Sequence, residues 1–311
     1  MANKHLSVNI VNFNNTEFIS NCINSVYSNT SNINFSILII DNASTDKSIE
    51  ITRKEFPLVN IIRNSSNLGF AGAHNIGFKK NDCKYVLILN PDTLFVDNSI
   101  KIMSDFLDQN PEVGIVGPLI FNPDKTSQYT GITYPSNLNL FLETLFLDRL
   151  FPNNAIFGKH KGTFEPYMTT KSVDYLQGSC LMIRKKVIEE IGLFDDSFFM
   201  YFEETDFCYR AKKIGWKIVR LGGTSLIHFG GGETGYYDEF RIIQFTKSLI
   251  LFYKKYYSSK DILMLKFILF LRNCIRLTLW FAVRITLRNK KEESSSRLKG
   301  YFKSFKLLIA E

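Results

Sequence analysis

The sequence lacks the features of a secreted or disulfide-stabilised protein. Its five cysteines are scattered and form no Cys-x-x-Cys pair, which argues against both a disulfide framework and a structural zinc site. The chain does not open with basic residues, an apolar run and small residues in the order typical of a secretory leader. We therefore expect a cytoplasmic protein with reduced thiols.

Long apolar runs and the standard phosphate-binding loops are also missing. No stretch reaches the roughly 18 uncharged apolar residues of a spanning helix, because basic residues interrupt the most apolar segment, residues 261–291. The stretch NLGFAGAHNIG, residues 67–77, has the spacing of neither a dinucleotide-binding fingerprint nor a P-loop. Its glycines and the following helix N-terminus could still bring backbone N–H groups to a phosphate. A tight strand-to-helix turn is the alternative.

The composition is that of a globular protein with an uneven charge. Of 311 residues, 45% are hydrophobic and 22% are charged, which suits one large domain or two smaller ones. Residues 1–240 hold 22 Lys or Arg and 26 Asp or Glu, a net charge of −4, whereas residues 241–311 hold 16 and 4, a net charge of +12. The sequence predicts a domain over residues 1–240 and a basic module over residues 241–311.

Short apolar runs alternate with helical patterns in the first part of the chain. Strands are predicted over residues 6–13, 35–41, 59–63, 85–90 and 113–121. The helix after the second strand has Ser44 or Thr45 as a plausible N-cap. Apolar strands separated by helices predict an α/β fold with a parallel sheet covered on both faces, and ligands of such folds bind at the carboxyl ends of the strands. Residues 122–172 look less regular and could cover an active site.

Polar residues follow the predicted strands where each one ends. Asn90 and Asp92 lie two residues apart after the most apolar strand, so both side chains could face one ion. Such oxygen ligands suit Mg²⁺ or Mn²⁺ bound together with substrate phosphates, although Asn-Pro-Asp is also a common turn. His228 ends a later apolar run and is either a satisfied structural residue or a ligand.

The stretch FDDSFFMYFEETD, residues 194–206, places five carboxylates among aromatic side chains. Glu203, Glu204 and Asp206 precede a predicted helix, and acids in a first turn each stabilise a helix by about 0.3–1 kcal/mol. That explanation does not account for three acids directly behind FFMYF. Desolvation there would raise a carboxylate pKa toward that of a useful general base.

Six motifs in a fixed order resemble those of the family 2 glycosyltransferases. They are VNFNN, IIDNASTDKS, NSSNLGFAGAHNIG, LNPDT, the long stretch from GSCLMIRKK to KIGWKI, and IHFGGGET, and they cover about residues 6–255. The strongest resemblance is to the bacterial rhamnosyltransferase-like branch, which assembles surface polysaccharides such as O-antigen. It implies a GT-A fold with a nucleotide-binding half over about residues 1–120, an acceptor-binding half over residues 121–240, and inversion at the transferred sugar.

The resemblance also assigns roles by position. The residues that resemble those binding the nucleotide sugar are Asn14, Asp41, Asn67, Gly69 and Asn75. Asp92 and His228 resemble the metal ligands, with Asn90 standing where an Asp is frequent. Asp195 resembles an acid that helps bind the acceptor or the sugar.

Within the acidic stretch, the family pattern is usually Glu-Asp-x-Asp, and this chain has Glu203-Glu204-Thr205-Asp206. Glu204 falls on the position that resembles the catalytic base, with Glu203 and Asp206 as the other candidates. The resemblance implies Mg²⁺ or Mn²⁺, a nucleoside-diphosphate sugar, with rhamnose as the first candidate, and a glycan or lipid-linked acceptor.

The basic module has a helical charge pattern. Lys266, Arg272, Arg276, Arg284 and Arg288 fall within an arc of roughly 160° at 100° per residue, which leaves the opposite side uncharged. That pattern is typical of a helix in a membrane interface, here the inner face of the cell membrane. A helix packed on the catalytic domain or in a homodimer is the alternative. Nucleic acid is not an expected partner, because no recognised binding motif occurs.

Two other functions fit parts of the sequence. A sugar nucleotidyltransferase shares the layered α/β architecture, but it would need a glycine- and arginine-rich first loop, which VNFNN is not. A catalytically silent relative could hold a polysaccharide assembly complex together at the membrane. Asn90 and Glu204, which depart from the family pattern, keep that second alternative open.

Overall fold

The computed structural model describes residues 5–80, 82–128, 133–158, 168–230 and 238–310. These residues divide into two compact units: unit 1 lies within residues 1–134, 161–199 and 203–232, and unit 2 lies within residues 135–160, 200–202 and 233–311. The domain boundaries predicted after residues 120 and 240 stay predictions. Part of the motif IHFGGGET, from residue 231 onward, lies outside the described residues.

All strands of the described residues belong to unit 1. They are β1 (Leu6–Asn12), β2 (Phe35–Asp41), β3 (Asn60–Arg63), β4 (Tyr85–Leu89), β5 (Thr93–Phe95), β6 (Val113–Phe121), β7 (Lys171–Ser172), β8 (Cys180–Arg184) and β9 (Lys217–His228).

The helices are divided between the units. They are α1 (Ile19–Asn29), α2 (Ser48–Glu55), α3 (Gly69–Lys80), α4 (Ser99–Gln109), α5 (Asn137–Thr144), α6 (Leu147–Leu150), α7 (Lys185–Ile191), α8 (Glu203–Lys213), α9 (Asp238–Tyr256), α10 (Ser259–Thr286) and α11 (Lys291–Ala310), with a 3₁₀ turn at Arg288–Lys290. Helices α5, α6 and α9 to α11 belong to unit 2.

The described strands form one mixed sheet in the order β3-β2-β1-β4-β8-β6-β9-β5, with β7 beside β9. The first four of these strands are parallel. β8 is antiparallel to both β4 and β6, and β9 is parallel to β6. β9 therefore runs in the same direction as β4, so both strands end at the edge where β1 and β2 end. The predicted α/β class is confirmed.

Helices cover both faces of the sheet, and the central strand β4 is apolar and buried at every position. Along β4, Tyr85, Leu87 and Leu89 pack into one core cluster, which also contains Met103 of α4. Val86 and Ile88 point to the other face, where a second cluster includes Phe207 of α8. Burial on both faces explains the near-continuous apolar runs of the sequence.

One local prediction in unit 1 is wrong. Helix α2 begins at Ser48 with Lys47 at its N-cap and without a side-chain cap, so neither Ser44 nor Thr45 caps it. The Ser44 hydroxyl instead accepts hydrogen bonds from the Asn12 side chain (3.0 Å) and the Asn14 backbone N–H (3.0 Å). Ser44 thus ties the loop after β2 to the loop after β1.

Unit 2 is helical in the described residues. Helix α10 begins with a capping box, in which the Ser258 and Asp261 side chains each accept a hydrogen bond from the other residue's backbone N–H. Inside the unit, the Asn273 side chain of α10 donates to the Ser304 hydroxyl of α11 (2.5 Å), and both residues are buried. Among the described residues, no helix combines the length and hydrophobicity needed to cross a bilayer.

The predicted basic arc of the C-terminal module is wrong in two respects. Helix α10 ends at Thr286, so Arg288 lies outside it. Arg272 and Arg276 do not form an exposed rim, because their guanidinium groups lie 5.6 Å from the Phe245 ring centroid and 4.0 Å from the Phe146 ring centroid. Burial lowers the pKa of Arg276. Helical periodicity cannot tell an exposed cation from one stacked on an aromatic ring.

Candidate functional site

Polar residues collect at the edge of the sheet where the parallel strands end. In the observed register, Asn12 of β1 pairs with Asp41 of β2, and Asp41 pairs with Arg63 of β3. All three residues are the last of their strands. Because the strands are parallel, their side chains and the loops that follow meet at one edge.

Asp41 is fully buried and held by three neighbours. Its Oδ1 accepts hydrogen bonds from the Asn12 side chain (3.3 Å) and the Ser44 backbone N–H (3.2 Å). Its Oδ2 lies 3.1 Å from the Arg63 Nε, and Arg63 also donates to the Ser44 carbonyl (2.9 Å). Arg63 was not predicted as a site residue, since only the pairing of β2 with β3 places it beside Asp41.

Asn14 supports the neighbouring loop. Its backbone has a φ of +54°, a left-handed conformation that asparagine tolerates better than most residues. Its side-chain oxygen accepts from the backbone N–H groups of Thr45 (2.8 Å) and Asp46 (3.3 Å). The nucleotide-binding role predicted for Asn14 stays a prediction, and these bonds show how its oxygen is already engaged.

The start of α3 is packed tightly against the chain. Gly69 has a φ of +73°, and a Cβ there would lie 2.2 Å from the Phe199 carbonyl oxygen, so only glycine fits. The Gly69 N–H donates to the Asn67 side chain (2.9 Å), and the Phe70 N–H donates to the Phe199 carbonyl (2.8 Å). The expectation that the first amides of this helix are available to a phosphate is therefore wrong for these two. The nucleotide-sugar roles predicted for Asn67 and Gly69 stay predictions.

Asn75 joins α3 to the segment that leads to the acids. Its side chain donates to the Phe194 carbonyl (3.0 Å) and accepts from the Phe194 N–H (3.0 Å). Both polar atoms of its amide are thus occupied by one backbone position. The contact with a nucleotide sugar predicted for Asn75 stays a prediction.

Asp92 and His228 lie together, as predicted for a pair of metal ligands. Thr93 of β5 pairs with His228 of β9, which brings the residue before β5 next to the end of β9. The distance from Asp92 Oδ1 to His228 Nε2 is 3.4 Å, and both residues are buried. The other ring nitrogen, Nδ1, lies 2.9 Å from the Gln128 side-chain oxygen. An Nδ1–H that donates to this oxygen leaves the Nε2 lone pair directed at Asp92.

This donor set fits a hard divalent cation that shares its coordination with substrate. A buried carboxylate and an imidazole with a defined tautomer suit Mn²⁺ or Mg²⁺, which commonly use few protein ligands together with phosphates. In the described parts of the chain, no group of three or more His, Cys, Asp or Glu side chains is arranged so that it could hold a metal ion without further ligands. Asp92 also lines a cavity of about 160 Å³, together with Phe18, Pro91 and Phe229.

The Asn90 main chain forms three hydrogen bonds. Its carbonyl accepts from the Thr93 hydroxyl (2.7 Å) and the Cys22 thiol (3.5 Å), and its N–H donates to the Ser179 carbonyl (2.9 Å). These bonds fix the loop that carries Asp92. The role predicted for Asn90 as a weak metal ligand stays a prediction.

Glu203 and Glu204 open helix α8 at the same edge of the sheet. Phe199, four residues earlier, is bonded to the start of α3, which follows the end of β3. Burial raises the pKa of Glu204 to about 7. Burial and the neighbouring Glu204 raise the pKa of Glu203 well above its ordinary value. Within the described residues, the Oε2 atoms of both glutamates have no hydrogen-bond partner.

Asp206 has a different environment. Its Oδ2 accepts a hydrogen bond from Arg210 Nε (2.8 Å) one turn later in α8. The same guanidinium donates to the backbone carbonyls of Ile191 (2.6 Å) and Leu193 (2.8 Å). Asp206 therefore anchors α8 to the segment after α7, and this use explains an acid in the first turn better than the helix dipole does.

Asp195 shapes the loop between α7 and α8. Its carboxylate accepts from the backbone N–H (3.0 Å) and the hydroxyl (2.5 Å) of Ser197. The predicted contact of Asp195 with an acceptor or sugar stays a prediction.

The backbone immediately before the acids is strained. Tyr201 and Phe202 have φ values of +71° and +69°. Bulky residues rarely adopt this left-handed region, which costs on the order of 1–3 kcal/mol per residue and is concentrated at functional sites. Nothing in the aromatic sequence signals this conformation, and sequence reasoning missed it.

Comparison with known families identifies most of the sheet-forming region. The model of the family described as Glycosyl transferase family 2 matches residues 7–192. An N-acetylglucosaminyl-diphospho-decaprenol L-rhamnosyltransferase from Mycobacterium tuberculosis is 29% identical over 212 residues, which are 64% of this chain and 68% of the relative. A low-salt glycan biosynthesis hexosyltransferase, Agl10 from Haloferax volcanii, is 31% identical over 229 residues, which are 72% of this chain and 66% of the relative.

Solved structures share the fold. The mannosyltransferase PcManGT from Pyrobaculum calidifontis, determined with GDP-Man and Mn²⁺, superposes with a TM-score of 0.58 at 12% identity. The similarity covers 99% of this chain and 87% of that one. TarS from S. aureus superposes with a TM-score of 0.55 at 13% identity over 98% of this chain and 50% of its own length. The predicted GT-A type fold is confirmed.

Proposed function

Because this chain belongs to glycosyltransferase family 2, we propose that it transfers a sugar from a nucleoside-diphosphate donor to a glycan or lipid-linked acceptor during the synthesis of a surface polysaccharide. The observation that carries the proposal is the start of α8, where Glu204 is a carboxylate with a pKa of about 7 and an unpartnered oxygen within the described residues. Such a group is suited to accept a proton from an acceptor hydroxyl at neutral pH.

The donor binds at the carboxyl ends of the parallel strands. Asp41 reads the base, held in position by Arg63 and Asn12. The loops of Asn14, Asn67, Gly69 and Asn75 line the rest of the nucleotide sugar, chiefly through the backbone that these residues shape. Deoxythymidine-diphosphate rhamnose is the first candidate, supported by the rhamnosyltransferase relative.

Asp92 and His228 would hold a divalent cation, Mg²⁺ or Mn²⁺, and Asn90 would be a weaker third ligand. The chemistry such an ion supplies is neutralisation of the charge that develops on the diphosphate leaving group. Gln128 keeps His228 Nε2 available for this purpose. The neighbour determined with Mn²⁺ supports the choice of metal.

The transfer is a single displacement with inversion. The acceptor hydroxyl oxygen attacks the anomeric carbon, the bond from that carbon to the diphosphate breaks, and the hydroxyl proton passes to Glu204. Glu203 lies beside it, and burial together with the neighbouring Glu204 raises the pKa of Glu203 well above its ordinary value. Asp206 positions α8 through Arg210, and Asp195 orders the loop on the acceptor side.

A panel of nucleotide sugars tests this function. We expect transfer from one donor, first of all the rhamnose nucleotide, that depends on Mn²⁺ or Mg²⁺ and is abolished by EDTA. Asp92→Asn should remove the metal dependence together with most of the activity, whereas Asp124→Asn on an exposed turn should leave both unchanged. Failure of every donor to bind or react would favour a silent scaffold, and formation of nucleotide sugar from sugar phosphate would favour a nucleotidyltransferase.

Unit 2 supplies the membrane contact of the proposed enzyme. Helix α10 has an uncharged apolar face whose members, within about 60° of arc at 100° per residue, are highly exposed: Leu263 (71%), Phe267 (60%), Phe270 (53%), Phe281 (60%) and Ile285 (65%). We call these five residues the apolar face of α10. An exposed apolar stripe on a segment with a net charge of +12 suits the inner, anionic face of the cell membrane better than a second copy of the same basic chain.

Vesicle sedimentation tests the membrane contact. The double variant Phe267→Glu and Phe270→Glu should lose most of its binding to vesicles that contain anionic lipid, because it places charges on the apolar face of α10. Leu58→Glu is the matched control, since Leu58 is an exposed apolar residue of unit 1. The membrane contact would be contradicted if the wild type did not bind vesicles and instead formed a homodimer that the double variant disrupts.

A further inference from the structure

Unit 2 contains a cavity of about 230 Å³ that the proposed transfer does not use. It is lined by residues from α9, α10 and α11 and by Tyr201, and the basic members are Arg241 and Arg272. No Asp or Glu is among the described residues that line it. A concave site with two guanidinium groups and no lining carboxylate favours an anionic ligand.

Contacts within the unit orient both cations. The guanidinium of Arg272 lies 5.6 Å from the Phe245 ring centroid, and in the described residues it forms no ion pair with a carboxylate. The Arg241 Nε donates to the Tyr201 hydroxyl (3.2 Å), and the Tyr201 ring makes an edge contact with Phe245. Planar guanidinium groups fixed in this way suit the bidentate recognition of a phosphate.

The remaining lining and the volume narrow the class of ligand. Ile242, Phe245 and Leu269 give part of the cavity an apolar wall. The volume is below the roughly 300–1,000 Å³ of sites that enclose a whole drug-sized ligand. The cavity therefore has room for a phosphate group and the beginning of an attached apolar chain, and not for a complete lipid.

Helix α10 connects the cavity to the apolar face. Leu269, Arg272 and Asn273 line the cavity, and Phe270, directly after Leu269, is 53% exposed on the neighbouring side of the helix. An apolar chain that leaves the cavity along this helix would thus meet the apolar face of α10.

We propose that this cavity binds the phosphate groups of a prenyl-phosphate lipid. That the lipid is the sugar acceptor rests on the proposed function, and the name of the rhamnosyltransferase relative, a diphospho-decaprenol enzyme, supports it. Binding of the phosphate groups requires neither donor nor transfer. The Arg272 guanidinium pairs with one phosphate. The Arg241 guanidinium and the hydroxyls of Tyr201 and Tyr301, which also line the cavity, complete the site.

Calorimetric binding to the full chain tests the proposal. The titrations use farnesyl diphosphate and, separately, inorganic pyrophosphate, both in EDTA so that the proposed metal site does not contribute. We expect farnesyl diphosphate to bind about tenfold more tightly than pyrophosphate, because only the lipid contacts the apolar wall. Arg272→Gln should weaken both ligands by about 10- to 100-fold.

The matched control is Arg284→Gln, which removes the same charge from the same helix at an exposed position bonded to Ser295. It should bind both ligands as the wild type does. Arg272→Lys keeps the positive charge but loses the planar guanidinium that can donate two hydrogen bonds to one phosphate, so its affinity should lie between those of the wild type and Arg272→Gln. This variant also controls for misfolding of Arg272→Gln. Equal binding by Arg272→Gln and wild type would overturn the site, and pyrophosphate binding as tightly as farnesyl diphosphate would overturn the lipid assignment. Since no nucleotide sugar is present, absence of glycosyl transfer would not affect either result.

Discussion

The acids of unit 1 lie in two contrasting environments at the same edge of the sheet. Asp41 is buried, and its Oδ1 accepts hydrogen bonds from Asn12 and Ser44. Its Oδ2 has no hydrogen-bond partner among the described residues, but it lies 3.1 Å from the Arg63 guanidinium, which balances its charge. Glu203 is also buried and Glu204 is half-buried, the Oε2 of each has no hydrogen-bond partner among the described residues, and no Lys or Arg of those residues forms an ion pair with either carboxylate. His228, like Asp41, has a side-chain partner, because its Nδ1 nitrogen lies within hydrogen-bond distance of the Gln128 side-chain oxygen.

This difference separates groups that hold a ligand from a group that reacts. A partnered side chain keeps one orientation and one protonation state, which suits binding. A carboxylate without a neighbouring cation in a desolvated position is poorly stabilised when charged, so its pKa rises. At a pKa of about 7, Glu204 is deprotonated often enough to accept a proton and basic enough to do so efficiently.

Replacement of Glu204 should produce the largest effect. Glu204→Gln should lower kcat by about 10²- to 10⁴-fold, the usual contribution of a positioned base, with little change in the Kd of the nucleotide. Glu203→Gln is the matched control, because Gln mimics the protonated form that the raised pKa of Glu203 favours. Steady-state kinetics and nucleotide titration measure both quantities.

The same two variants can also contradict the assignment of Glu204 as the catalytic base. A loss in Glu203→Gln as large as that in Glu204→Gln would mean that the two carboxyl groups act as one unit. An unchanged kcat in Glu204→Gln would remove this residue from the role altogether.

Removal of a partner should affect the other environment differently. Gln128→Leu leaves His228 in place but abolishes the contact with its Nδ1 nitrogen. We expect the affinity for Mn²⁺ to fall by about 10- to 100-fold, while kcat at saturating metal stays close to that of the wild type. Titration of activity against Mn²⁺ measures this. Thr126→Val, on the same turn, should not change the affinity, and an equal loss in both variants would indicate a general disturbance of the turn.

The pH dependence should sharpen the contrast further. Because Glu204 acts in its deprotonated form and its pKa is about 7, kcat/KM should fall about tenfold per pH unit well below pH 7 and level off above it. The measurement is a profile of kcat/KM from pH 5.5 to 8.5 at saturating metal. Glu203→Gln should retain the limb near pH 7. A profile that stays flat down to pH 5.5 would show that an ordinary carboxylate serves as the base.

Sequence patterns predicted the central strands well, because a strand that is buried on both faces has a nearly continuous run of apolar residues. The predicted ranges 35–41 and 113–121 coincide with β2 and β6, and β1 and β4 end within one residue of their predicted ends. β5 and β7 have three and two residues, too few for a periodic pattern. Asp92 and His228 were paired in advance only through family resemblance, since β5 and β9 are remote in the chain.

The supporting residues were not predictable for a different physical reason. Gln128 is 100 positions from His228, and Arg63 meets Asp41 only through the register of β3 with β2. A side chain whose role is to position another side chain produces no recognisable pattern in the sequence around it. In the same way, Arg272 and Arg276 belong to a regular basic arc in the sequence, and only the packing of unit 2 shows that they stack on aromatic rings.

The smallest expected effect concerns stability, and it also separates the two environments. The folded-state pKa of Glu203 lies above its value of about 4.3 in an unfolded chain, so its contribution to stability is present below that value and is lost as pH rises through the folded pKa. Glu203→Gln removes this loss and should raise Tm relative to the wild type by a few °C more at pH 8 than at pH 5. Thermal unfolding at the two pH values measures the difference. Glu55→Gln, at the exposed end of α2, should show no such dependence on pH, and an equal response in both variants would assign the effect to net charge instead of burial.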